Sequence, residues 1–151
     1  MRIVRVVPCL AIIALAAGYL VPADATLPLS DRDAITATAL DYAEGWYTGD
    51  GDRMRRALHP DLAKRIVRTG DDGRSSIDPM TAEELASAAA AGYGTRTPES
   101  DRQADVEIFD VFGNIVTVRV TIRDWIDYMH VAKFDGRWVI VNVLWDMKPS
   151  H

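Results

Sequence analysis

The chain has 151 residues, 17 Lys and Arg against 22 Asp and Glu, a net charge of −5 and one cysteine. An acidic chain with no long basic stripe argues against nucleic acid or anionic lipid as partner. The cysteine, Cys9, falls in the N-terminal segment, so the rest of the chain has no thiol for a disulfide, a thiolate metal site or a nucleophile.

Arg2 and Arg5 precede an apolar run from Val6 to Val21 that ends in Ala23-Asp24-Ala25. This is the pattern of a secretory signal peptide with an A-x-A cleavage site, and the run falls short of the ~20 residues of a spanning helix. Cleavage after Ala25 and export to the periplasm or the cell exterior are expected, with no membrane attachment afterwards. Residues 26–151 then suffice for one domain with a single core and are too few for two.

Ser30 followed by Asp33 resembles a capping box, and Ile35, Ala39, Tyr42 and Trp46 recur at helical spacing beyond it. This predicts a first helix with two large aromatics on its core face, and Gly45 as a point of close approach. Gly49-Asp50-Gly51-Asp52 breaks that helix and caps a second, in which Met54, Ala57 and Leu58 are apolar before His59-Pro60 interrupts it. The basic residues Arg53, Arg55, Arg56, Lys64, Arg65 and Arg68 are interleaved with Asp52 and Asp61, as on a solvated helix face.

Arg65–Thr69 and Arg74–Ile77 can pair as short strands around Asp71-Asp72-Gly73. Thr81 and Glu84 form a capping box for a third helix carrying Leu85, Ala88 and Ala89, with Gly92 at its end. Thr95–Arg102 reads as a loop. From Ala104 the period is two: Val106, Ile108 and Asp110, a turn at Gly113-Asn114, then Val116, Val118, Val120 and Ile122 alternating with polar residues. Asp135-Gly136 makes another turn. In the last strand Trp138, Ile140 and Leu144 take one parity and Val139, Val141, Val143 and Trp145 the other. A strand apolar on both faces requires cover on both, so a homodimer through the sheet face is expected. Helices first, then antiparallel strands, make an α+β fold with helices on one face of a curved sheet.

The pattern Asp41-Tyr42, Gly45-Trp46-Tyr47, Gly49-Asp50, Arg53-Met54 and Leu58-His59-Pro60, followed by Asp127-Tyr128, His130, Ala132-Lys133, Asp135-Gly136, Trp138, Ile140-Val141-Asn142 and Trp145, resembles the nuclear-transport-factor-2-like superfamily. Within it, the chain is most similar to the bacterial family labelled putative lumazine-binding. The resemblance implies a cystatin-like cone, a mixed, largely antiparallel sheet wrapped around about three N-terminal helices, with a pocket between them and frequent dimerisation. Relatives range from ketosteroid isomerases, polyketide cyclases and epoxide hydrolases to proteins that only bind or assemble, so the fold leaves the function open.

Binding is the first expectation. Tyr42, Trp46, Trp138 and Trp145 offer flat apolar area, and Tyr128 and Asn142 offer polar contacts, suited to an unidentified small apolar or aromatic ligand. An isomerase, cyclase or dehydratase is the alternative, with Asp127 or His130 transferring protons from within the cone. Asp124 and Asp127 read more readily as residues of a turn between strands, and His130 as a packed strand residue. Asp127 has opposite strand parity to Tyr128 and His130, so only a bulge would gather all three. An epoxide-hydrolase-like set can be sketched from Arg123, Asp124, Asp127 and Asn142. A non-catalytic dimeric interaction module is the third reading. No histidine pairing, calcium loop or phosphate-binding loop occurs, so neither metal nor cofactor is expected.

Overall fold

A computed structural model describes residues 29–149, so the expected leader over residues 1–25 and its cleavage site lie outside the described residues. Helix α1 runs Leu29–Thr48, placing Ser30 in its first turn. It buries Ile35, Ala39 and Tyr42 of the stripe that the helical spacing predicts, together with Ala43 and Tyr47, while Trp46, the fourth member of that stripe, packs half-buried at its edge. Gly49, at φ 73, reverses the chain, and Asp50 caps α2 (Gly51–Ala57) by accepting a 2.8 Å bond from the Arg53 amide. Gly45 is the close approach between these helices, since a Cβ there would lie 3.0 Å from the Met54 nitrogen.

The chain leaves α2 directly into strand β1 (Leu58–Thr69). His59-Pro60, read as a helix stop, therefore opens a strand. A residue before proline is pushed toward extended backbone, and a proline with no N–H is tolerated where a strand begins or bulges. The pairing with the last strand shifts register between Leu58 and Ala63, which leaves room for it. Strand β2 (Ser75–Met80) pairs antiparallel with β1, Val67 opposite Ile77, so the expected short hairpin is present and longer than the sequence suggested.

Helix α3 (Ala82–Ala90) carries the reciprocal Thr81–Glu84 capping box, with Gly92 at φ 77 just beyond it. Thr81→Ala is expected to cost about 1 kcal/mol, because the Glu84 amide loses its side-chain acceptor; urea unfolding reads this directly. The segment read as a loop holds two short 3₁₀ turns, Tyr93–Arg96 and Glu99–Asp101.

Strands β3 (Ala104–Phe112), β4 (Ile115–Ile122), β5 (Trp125–Phe134) and β6 (Arg137–Met147) complete a six-stranded sheet in the order β2-β1-β6-β5-β4-β3. All neighbours are antiparallel except β1 and β6, which are parallel. The fold is α+β, three helices against one face of a curved mixed sheet. On β4 Val116, Val118, Val120 and Ile122 all face the core, as their alternation requires.

The parity assigned to β6 needs correction. His130 pairs with Asn142 but Val131 pairs with Ile140, so Val141 is an extra residue in the ladder and the faces exchange there. Ile140 and Val143 consequently both enter the core, while Leu144 is 57% exposed on the outer face.

Candidate functional site

At one end of the core, four elements bring a charged pair together inside an aromatic lining. Lys64 comes from β1, where it shares a face with buried Leu62 and Ile66 and so points inward; it is 3% exposed. Asp127 comes from β5 and is fully buried, on the same face as Met129 and Val131. Lys64 Nζ donates to Asp127 Oδ1 and, at 2.7 Å, to Tyr42 Oη. Tyr42 Oη in turn donates to Asp127 Oδ2 at 3.1 Å, and Trp125 Nε1 donates to the same oxygen at 2.7 Å. The carboxylate is thus held by an ammonium, a phenol and an indole, the satisfaction a buried charge requires.

The Lys64 ammonium also lies 4.6 Å from the centre of the Trp145 ring, a cation–π distance. Trp125 packs edge-on to Trp46 and to Trp145, at centroid separations of 5.6 and 5.9 Å. Beside this lies a cavity of about 230 Å³ lined by Tyr42, Trp46, Lys64, Trp125, Trp145 and Met80, with Asp124 also on its wall. An amine is therefore one of the few polar groups facing an otherwise greasy space.

Burial pushes the Lys64 amine below the usual lysine range, although the charge and hydrogen bond of Asp127 pull it back. Burial, and then the charge of Asp127, holds the Tyr42 phenol well above its ordinary value of 10.0. The sign follows: the folded chain keeps a proton that the unfolded chain gives up near 10.0, so the stabilisation is complete below that pH and is lost as pH rises through the folded value. Phenolate absorbance during alkaline titration should show Tyr42 titrating only with unfolding, as a late component. Replacement by Phe would remove that late component.

The structure brings together Tyr42, Trp46, Trp145 and Asp127 of the candidate residues. Trp138 is buried elsewhere, its Nε1 donating to Asp31 at 3.0 Å. Tyr128, His130 and Asn142 occupy the opposite face of the sheet, where His130 and Asn142 border shallow grooves with Thr117. The alternation along β5 separates them from Asp127 as its parity demands, and the bulge at Val141 does not reunite them. Arg123, Asp124, Asp127 and Asn142 therefore do not assemble: Asp124 is half-exposed beside Arg123, and Asn142 lies outside. His59 stacks on Phe134 and accepts a bond from the Asp61 amide. Among the described residues, no group of three His, Cys, Asp or Glu side chains could hold a metal ion.

Lys64 is the residue that sequence reasoning missed. Assigned to a basic helix face, it is instead the inward member of Leu62-x-Lys64-x-Ile66, a period-two signal readable only once β1 is recognised to extend back through Pro60.

The family described as "Putative lumazine-binding" matches residues 30–146. A curated protein, "Aldolase FrzH" from Cladobotryum sp, is 23% identical over 127 residues, 80% of this chain and 94% of that one. Among solved structures, an NTF2-like protein of unknown function from Shewanella baltica superposes with a TM-score of 0.65 at 21% identity, covering 83% of this chain and 99% of its own. Another, from Silicibacter pomeroyi, gives 0.59 at 16% identity, covering 81% and 100%. At these identities the structural likeness establishes the fold.

Proposed function

We propose, for a chain that belongs to the putative lumazine-binding family of the nuclear-transport-factor-2-like superfamily, that the domain binds a small, flat, apolar or aromatic molecule in the cavity beside the Lys64–Asp127 pair. One observation carries the reading: the cavity of about 230 Å³ is walled by Tyr42, Trp46, Trp125 and Trp145, with Lys64 as a polar anchor. Flat aromatic walls with few fixed polar groups are the usual make-up of a small-molecule site. Lumazine is the natural probe, and tryptophan quenching backed by calorimetry is the measurement. Trp145→Ala is expected to weaken binding at least ~10-fold, about 1.4 kcal/mol, while His130→Ala on the outer face leaves it unchanged. Equal loss from both variants, or no binding of lumazine or of any flat heterocycle tried after it, defeats the reading.

An enzyme is the second reading, favoured by the Lys64–Tyr42–Asp127 network and by the name of the aldolase relative. Asp127, not His130, would then carry the proton chemistry, since Asp127 is bonded to the wall residues Tyr42, Lys64 and Trp125 whereas His130 lies on the opposite face of the sheet.

Two further properties belong to the same proposal. The outer sheet face exposes Leu144, Tyr128 and Phe109, the last two stacked at 6.3 Å between centroids, and we assign it to a homodimer. Light scattering at micromolar concentration should give twice the chain mass, and Leu144→Arg should return it to one. The leader sequence assigns the protein to export, and N-terminal sequencing of protein recovered from the periplasm or medium should begin at Thr26.

A further inference from the structure

We infer that Lys64 is a reactive amine that condenses with a carbonyl-bearing aromatic ligand in the cavity, joining it to the protein as an imine. This rests on the pocket reading above and adds to it a covalent step and a substrate class, aldehydes and ketones.

Position singles out this lysine. The chain has three, Lys64, Lys133 and Lys148. Lys133 pairs with Asp31 at 2.8 Å, and Lys148 is tied to Gln103 at 2.7 Å and to the Arg123 carbonyl at 3.0 Å, both away from the cavity. Lys64 alone lines the cavity wall and is nearly fully buried. Lysine is among the residues least often buried, and as pure structure a buried ion pair is commonly no better than apolar residues of the same volume. What an amine supplies there, and a methionine could not, is nucleophilicity. Burial against an apolar wall favours its neutral, reactive form, the means by which enzymes activate lysine toward carbonyls.

The neighbours supply the proton path. Tyr42 Oη accepts from Lys64 Nζ at 2.7 Å and donates to Asp127 at 3.1 Å, so a proton leaving the ammonium reaches Asp127 either directly or through one phenol. Trp125 Nε1 holds the carboxylate in place at 2.7 Å. The free amine attacks the carbonyl carbon, forming the C–N bond. The carbinolamine C–O bond then breaks, and both amine hydrogens leave on that oxygen as one water. The proton held by Asp127 returns to the nitrogen, and the resulting iminium ion faces the carboxylate that formerly faced the ammonium. No atom changes oxidation state and no co-reactant beyond the carbonyl compound is required.

The test incubates the full exported chain with benzaldehyde and sodium cyanoborohydride, which reduces an imine to a stable secondary amine, followed by intact-mass and peptide mass spectrometry. One adduct per chain is expected, on the Lys64 peptide, forming at least tenfold faster than on the Lys133 or Lys148 peptides. Lys64→Arg should lose it. An adduct spread evenly over the three lysines and the N-terminus overturns the inference, as does an undiminished adduct in Lys64→Arg. Should that variant not fold, the site distribution in the unaltered chain decides alone. Calorimetry with benzyl alcohol, the unreactive counterpart, separates the two readings. Binding of the alcohol without an adduct from the aldehyde leaves the pocket and removes the imine, and absence of both removes both.

Discussion

Asp127→Ala is expected to destabilise the protein by about 3–5 kcal/mol, the cost of removing one partner from a buried ion pair. The carboxylate is fully buried and gathers Lys64, Tyr42 and Trp125. Its removal strands an ammonium that is only 3% exposed, along with the buried Tyr42 hydroxyl and the half-buried Trp125 indole N–H. For a domain of this size the melting temperature should fall by roughly 10–20 °C. The double variant Lys64→Met, Asp127→Leu should recover most of the loss, since it removes the charge together with its counter-charge. Tyr42 and Trp125 would still lack an acceptor, which caps the recovery. Guanidinium unfolding of the two single variants and the double one closes the cycle. A cost below about 1 kcal/mol for Asp127→Ala would mean that the charge is not buried as described.

Gly94→Ala is the other severe substitution. Gly94 lies in the 3₁₀ turn Tyr93–Arg96, pressed against the last turn of α1. A Cβ there would run into the Trp46 carbonyl oxygen and come within 2.5 Å of its Cδ1 and 2.6 Å of its Nε1. The carbonyl belongs to helix backbone and cannot swing aside, so the turn or α1 must move as a body. Overpacking of this kind costs about 1–3 kcal/mol. Because Trp46 is also cavity wall, ligand affinity should drop along with stability, and near-ultraviolet circular dichroism should report the displaced indole. Gly73→Ala is the control: no atom lies within 4 Å of its Cβ position, and only its φ of +74 opposes the substitution, worth about 1 kcal/mol. If both variants lose equally, the Gly94–Trp46 contact is not the cause.

The helices and the hairpins of the second half were legible because local chemistry decides them. Thr81 and Glu84 cap a helix wherever they meet a free N-terminus, and Asp135-Gly136 adopts positive φ at both residues, as a tight hairpin demands. The first half of β1 was not legible, because His59-Pro60 is a local stop signal overridden by a distant partner, β6. The failure carried Lys64 with it: a lysine between two arginine-rich stretches looks solvated until Leu62 and Ile66 are placed on an inward face. The faces of β6 were lost for a different reason. A bulge at Val141 is a property of the ladder with β5 and leaves no mark in composition. Asp127 was recognisable from its apolar neighbours, but two of its three partners, Tyr42 and Lys64, lie 85 and 63 residues away in sequence, beyond any spacing argument.

The parallel ladder of β1 and β6 also governs when the site can exist. Ala63 and Lys64 rest on Asn142 and Val143, so the strand bearing the amine finds its neighbour only after nearly the whole chain is available. Closing so long a loop precedes any gain from the pairing, which makes the step slow relative to the hairpins. The four-stranded meander and the helices can organise earlier, but the wall joining Lys64 to Trp145 is completed last. A chain stopped before β6 would hold Asp127 and Trp125 without Trp145 or the ladder that seats the Lys64 strand, so an unfinished polypeptide carries no completed cavity.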